Sequence, residues 1–256
     1  MRIRFLGTGT SHGVPVIACA CPVCSSRDPR DRRFRSSILV ESEGTSVLVD
    51  AGPEFRLQAL GARLERLDAL LLTHAHADHL HGLDDVRSLS RKAALPVYGN
   101  EEALLEARER FSYAFRAGQE GGGKPRLALL PPPPEGFDIG DVRVLAVPLL
   151  HGALPVLGWR LGRFAYLTDC SAIPEASWAL LSGVETVVLD GLRYRPHPTH
   201  FSVDEALAAA RRLGARETWL THLTHDAGHA ELEAYCRAKG GDSGARPAWD
   251  GLEIEA

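Results

Sequence analysis

Four side chains of metal-binding type fall within six residues, in the run His74-Ala75-His76-Ala77-Asp78-His79. Imidazoles together with a carboxylate suit Zn, Mn or Fe. In extended backbone, residues two apart face the same side, so His74 and His76 can grip one ion. A turn after Ala77 can then carry Asp78 and His79 toward a second. The run follows Leu70-Leu71-Leu72-Thr73, which reads as a buried strand. The same grammar, an apolar strand ending in a ligand-type residue, recurs three times: residues 144–150 lead to His151, 164–168 to Asp169, and 218–221 to His222. Strand ends hold side chains rigidly, as a metal shell requires, and the loops beyond them shape a pocket. Asp169, with two oxygens, is the natural bridge between two cations. His81, one turn further on, reads as a surface or supporting residue.

Three of the five cysteines also cluster, as Cys19-Ala20-Cys21-Pro22-Val23-Cys24. With no export signal at the start of the sequence, metal binding explains them better than a disulfide framework. Three thiolates leave the fourth position of a tetrahedral structural zinc site open, and His225 is the best candidate to fill it. Cys170 and Cys236 stand alone and read as packing residues.

Strands are expected at residues 2–6, 37–41, 46–49, 69–72, 142–147, 164–167, 186–189 and 218–220, and helices at 101–116, 174–181, 203–213 and 227–238. Ser202 with Glu205 makes a capping box for the third helix. Early hairpins followed by mixed strand and helix units mean a layered α/β fold, and 256 residues suffice to form it as one domain spanning 1–256. Gly121-Gly122-Gly123 and Pro131 to Pro134 punctuate residues 117–134, which read as a surface connection, with a flap near the site as the sharper alternative. A net charge of −4 gives no electrostatic footprint for long nucleic acids, so a small substrate is favoured. No apolar stretch approaches the roughly 20 residues of a membrane span. The expectation is a cytoplasmic protein without a membrane partner, and a homodimer is compatible with it.

With these residues in view, the chain resembles the metallo-β-lactamase fold superfamily, whose His-x-His-x-Asp-His hallmark is complete from His74 to His79. The resemblance implies a four-layer αβ/βα sandwich with the metals at one edge of two sheets. It further implies that His74, His76 and His151 bind one ion, Asp78, His79 and His222 the other, and that Asp169 bridges. Gly13-Val14-Pro15 followed by the three cysteines is similar to the cyclic-phosphodiesterase branch typified by phosphoribosyl 1,2-cyclic phosphate phosphodiesterase. There the cysteines and His225 would hold a structural zinc, and His200, within His197-Pro198-Thr199-His200-Phe201-Ser202, would protonate the leaving group. The implied reaction is hydrolysis of a small, cyclic phosphodiester by a hydroxide shared between two Zn or Mn ions, with Asp78 orienting the nucleophile. The alternatives are hydrolysis of another ester or an RNA 3' end, a non-hydrolytic role like that of the pyrroloquinoline quinone biosynthesis branch, and a metal-binding module without turnover.

Overall fold

The computed structural model describes residues 1–116 and 123–256. In chain order its strands are β1 (Arg2–Gly7), β2 (Ser37–Ser42), β3 (Thr45–Val49), β4 (Ala69–Leu71), β5 (Leu95–Tyr98), β6 (Leu127–Leu130), β7 (Phe137–Ile139), β8 (Val142–His151), β9 (Leu154–Leu161), β10 (Phe164–Leu167), β11 (Thr186–Asp190), β12 (Glu217–Thr221), β13 (Ala245–Pro247) and β14 (Glu253–Glu255). The helices are α1 (Phe55–Ala62), α2 (Ala77–Leu80), α3 (Glu101–Arg110), α4 (Ser112–Phe115), α5 (Glu175–Leu180), α6 (Val203–Leu213) and α7 (His229–Lys239).

The short early hairpins form because β1, β2 and β3 are apolar strands joined by tight connections; Val40 faces both Ile3 and Val47 across the ladders. Their sheet runs β14-β1-β2-β3-β4-β5-β6, and the second runs β13-β12-β11-β10-β9-β8-β7. Each is mixed. β3 to β6 pair in parallel in the first, and β10 to β13 in the second. Three buried clusters separate four layers. Phe55, Leu80, Leu83 and Leu104 fill the space between helices and the first sheet; Phe5, Val47, Trp159 and Tyr166 lie between the sheets; Leu167, Leu189, Leu207 and Leu232 pack the second sheet against its helices. The result is the αβ/βα sandwich that the sequence resemblance implies.

Several strands differ from expectation. β9 was not anticipated because Gly152 and Pro155 punctuate its start; the turn needs Gly152, whose φ is 63°. Residues 154–161 then pair with β8 from Val144 to His151. β5 and β6 carry Pro96 and a short apolar run that neighbouring strands, rather than local pattern, draw into the sheet. β6 lies within the segment read as surface connection; the part of that segment at 117–122 lies outside the described residues. The helix expected over 101–116 breaks at Phe111, whose φ of −107° and ψ of 33° leave helical geometry. α6 forms as expected, with both bonds of the Ser202–Glu205 capping box present.

No helix among the described residues is long and apolar enough to cross a membrane.

Candidate metal centre

Open parallel sheets leave their functional residues at the carboxyl ends of the strands, where loops diverge. Here both sheets present such ends to one edge. Asp50 follows β3, His74 follows β4, Asp169 follows β10, Asp190 closes β11 and His222 follows β12. Asp50, Asp169 and His222 all turn into the left-handed region, with φ of 60°, 52° and 59°. Side chains other than glycine adopt it at a cost of order 1–3 kcal/mol and hold it where the surroundings fix it, commonly at functional sites.

The ligand-type atoms of His74, His76, His151 and Asp169 all lie within 4.8 Å of one another, and so do those of Asp78, His79, Asp169 and His222. Asp169 belongs to both groups. Its Oδ1 is 3.0 Å from His222 Nδ1 and 3.2 Å from His79 Nε2, while Oδ2 is 3.6 Å from His74 Nε2. α2 starts at Ala77, so the chain leaves extended geometry after His76 and turns Asp78 and His79 inward; both are buried, whereas His76 faces solvent. Gly52 permits this, because a Cβ there would meet Asp78 O at 2.2 Å.

The donor set fits divalent cations. His74 Nε2, His79 Nε2 and Asp78 Oδ2 are buried and without hydrogen-bond partners, an arrangement that costs several kcal/mol unless something fills it. The opposite ring nitrogens are engaged. His79 Nδ1 donates to Asp50 Oδ2 at 2.7 Å and His151 Nδ1 to Thr199 O at 2.7 Å, while His74 Nδ1 lies 3.0 Å from Thr73 Oγ1. Such bonds fix the tautomer that leaves Nε2 free. Burial and the neighbouring His79 hold the His74 ring well below its ordinary pKa, and burial lowers His151 to about 4, so both are neutral ligands at pH 7. Burial opposes ionisation of Asp169, but the His222 and His79 rings outweigh it and hold the carboxyl far below the usual range.

Asp50 and Asp190 are the residues that the sequence reading missed, and its own grammar could have found them. Val47-Leu48-Val49 leads to Asp50, and Val187-Val188-Leu189 leads to Asp190, each an apolar strand ending in an acid. Asp50 is fully buried and accepts from Thr73 N, Thr73 Oγ1 and His79 Nδ1. Asp190 Oδ2 takes His200 Nδ1 at 2.6 Å, which sets the His200 ring against both His151 and His222, with centroids 4.5 and 4.8 Å away. Burial and the nearby Asp169 push Asp190 upward, and burial pushes His200 downward. His81 is exposed, 3.5 Å from Arg110 Nη1, and contributes no atom to either group.

The cysteine cluster is separate. Cys19, Cys21 and Cys24 Sγ each lie 3.4 Å from His225 Nδ1. A tetrahedral zinc with bonds of about 2.3 Å to sulfur and 2.0–2.1 Å to nitrogen has a sulfur-to-nitrogen edge of about 3.5 Å, so these four atoms fit one. The Cys24 N–H directed at Cys21 Sγ is the main cause that brings Cys21 down to about 6, and burial pushes Cys24 up to about 11. Buried Arg33 braces the loop that carries His225, donating to Thr224 O and, at 3.2 Å, to Ala227 O. Cys170 and Cys236 sit in the core against the second helix layer, as packing residues do.

The Beta-lactamase superfamily domain profile matches residues 45–223, the span from β3 to just past His222. The chain belongs to the beta-lactamase superfamily. Within it, a solved diphosphatase from the PhnP family is 40% identical, superposes with a TM-score of 0.90, and is matched over 100% of this chain and 97% of that one. That places the chain in the PhnP branch. A protein of Porphyromonas gingivalis named octanoyltransferase is 40% identical over 230 residues; 89% of this chain is matched, yet the chain spans only 46% of that relative's length. Zn(2+)-bound PqqB from Methylobacterium extorquens, at 20% identity and a TM-score of 0.79 over the full length of both chains, shares the fold. The fold is that of a metallo-hydrolase, with candidate His/Asp sites and a Cys3His site for divalent metal.

Proposed function

We propose that this protein is a dinuclear metal-dependent phosphodiesterase that hydrolyses a small phosphodiester, cyclic diesters included. The observation that carries the reading is the pair of four-residue ligand groups that share Asp169, with His200 held at their rim by Asp190. His74, His76, His151 and Asp169 would hold one ion, and Asp78, His79, His222 and Asp169 the other. Divalent cations bound there acidify water and neutralise phosphate oxygens. The remaining work falls to the chain. Asp78 Oδ2, buried and unpartnered, orients the attacking water. Asp190 holds His200 by Nδ1, so Nε2 faces away from it and can give its proton to the departing oxygen. Thr199 O fixes the ligand ring of His151 and Asp190 fixes His200, so one loop, residues 197–201, joins the ligand shell to the proton donor. Cys19, Cys21, Cys24 and His225 would hold a structural zinc, which contributes folding energy rather than chemistry.

The PhnP-family relative is a diphosphatase, and this supports a second reading in which the scissile bond is a phosphoric anhydride. A panel separates the two: protein loaded with Mn or Zn is assayed against bis-p-nitrophenyl phosphate, a 2',3'-cyclic nucleotide, a nucleoside diphosphate ester, a thioester and a β-lactam. Turnover of the diesters is expected. Turnover of the anhydride in their place selects the second reading, and turnover confined to the thioester or lactam overturns both.

A further inference from the structure

Two hollows flank the ligand groups, and they differ in charge. One, of about 230 Å³, is walled by His74, His76, Asn100, Glu102, Glu106 and Arg110. Arg110 is tied to Glu106 at 2.6 Å and donates to Ala75 O at 2.7 Å, so its charge is spent and Glu102 leaves this hollow negative. The other, of about 260 Å³, is walled by Thr10, His12, Arg193, His197 and His200. Its one acid, Asp226, is 3.5 Å from Arg195. Arg193 has no carboxylate within 4.0 Å among the described residues; its Nε donates to Arg195 O at 3.3 Å, which leaves the terminal amino groups for a ligand. Thr10 Oγ1, at 3.2 Å from His222 Nε2, places the floor of this hollow against the second ligand group.

We infer that the basic hollow binds an oxyanion, a phosphate or carboxylate, carried on the leaving half of the substrate, and that Arg193 selects for it. The inference rests on the phosphodiester reading. In hydrolysis a water oxygen bonds to phosphorus and gives up a proton to solvent, the bond from phosphorus to the leaving oxygen breaks, that oxygen takes the Nε2 proton of His200, and the ring regains a proton from solvent. The products are a phosphomonoester and a hydroxyl, on two molecules from a linear diester and on one from a cyclic diester. In-line displacement puts the leaving half opposite the attacking water and beside the proton donor, and His200 is a wall of the basic hollow and not of the acidic one. An oxyanion on that half therefore meets the guanidinium, whose planar fork suits phosphate and carboxylate alike. The acidic hollow disfavours the same group and suits a neutral, hydroxyl-bearing half.

The test compares methyl p-nitrophenyl phosphate with two analogues whose nitrophenyl ring bears a carboxylate or a phosphonate. Wild type should prefer the anionic leaving groups. Arg193→Ala should lower kcat/KM for them by roughly 10- to 100-fold, as expected for a lost charge-assisted contact, and for the neutral ester by less than about threefold. Arg193→Lys should restore part of the difference, and metal content should match wild type in both variants. The larger deficit on one anionic arm identifies the oxyanion. Binding of the released nitrophenols, measured by calorimetry, reads the hollow without turnover: the carboxylated product should bind wild type more tightly than Arg193→Ala. Turnover without discrimination by Arg193, or equal binding of that product by both proteins, overturns the inference. Arg193-dependent product binding with no diester turnover preserves the hollow and sinks the phosphodiester reading.

Discussion

Replacing Asp50 by Asn tests whether a residue that touches no substrate sets the second metal site. Asp50 is fully buried and takes three bonds: Oδ1 accepts from Thr73 N at 2.8 Å, and Oδ2 from Thr73 Oγ1 at 2.8 Å and His79 Nδ1 at 2.7 Å. An asparagine of the same shape has one acceptor oxygen. With that oxygen on Thr73 N, its NH₂ faces the His79 Nδ1–H, donor against donor. The ring escapes by moving its proton to Nε2, the nitrogen that would bind the second proposed ion. Losing a bond of this type generally weakens metal affinity by 10- to 100-fold, or roughly 1.4–2.8 kcal/mol. Titrating apo protein with Mn should show the weaker of two ions lost or shifted by that factor in Asp50→Asn, while the ion held by His74, His76 and His151 and the zinc on the cysteines keep their stoichiometry. An unchanged second affinity would refute the tautomer reasoning; loss of every metal together would show a folding defect instead.

Three further outcomes are expected. His200→Ala should retain its metals by mass spectrometry and lose kcat by roughly 10²- to 10⁴-fold, the usual contribution of a positioned proton donor; loss of metal would make His200 a ligand instead. Cys21→Ala should reduce zinc by about one per chain and lower the Tm, with Mn binding at the other sites retained, and unchanged zinc stoichiometry would remove the cysteines from metal binding. Half-buried Asp250 accepts from Phe34 N at 2.6 Å and Thr8 Oγ1 at 2.7 Å, and desolvation of its carboxyl pushes it up to about 7. A carboxyl that binds its proton more tightly when folded stabilises the fold fully below its unfolded value, about 3.9, and loses that contribution as pH rises through 7. The span of about 3 pH units is worth at most roughly 4 kcal/mol. Asn mimics the protonated form, so the stability of wild type relative to Asp250→Asn, from urea melts, should fall between pH 4 and 7; a flat difference sinks the assignment.

The candidate site was legible in the sequence to an unusual degree because its ligands follow the strands that position them. His74, His151, Asp169 and His222 each sit just past, or at the end of, an apolar run, and parallel strands in a layered fold deliver their carboxyl ends to one edge. The cysteine spacing likewise pointed to Cys19, Cys21 and Cys24, and the place of His225 three residues beyond His222 pointed to the fourth residue that the structure gathers with them. Asp50 and Asp190 obey the same rule but were passed over, since one acid after a strand carries no signal until a histidine is known to face it. β5, β6 and β9 were lost for another reason: proline and glycine interrupt their local pattern, and only pairing with neighbouring strands makes them strands at all.

Residue type and order along the chain determined which atoms can bind metal and in which elements they ride, because ligand chemistry and strand periodicity are both local. Tertiary structure alone decided the rest. It made Asp169 common to two groups, placed Asp50 behind His79 and Asp190 behind His200, and set a basic hollow on one side of the centre and an acidic one on the other. These are distances between residues from 10 to more than 200 positions apart, and no local pattern encodes them.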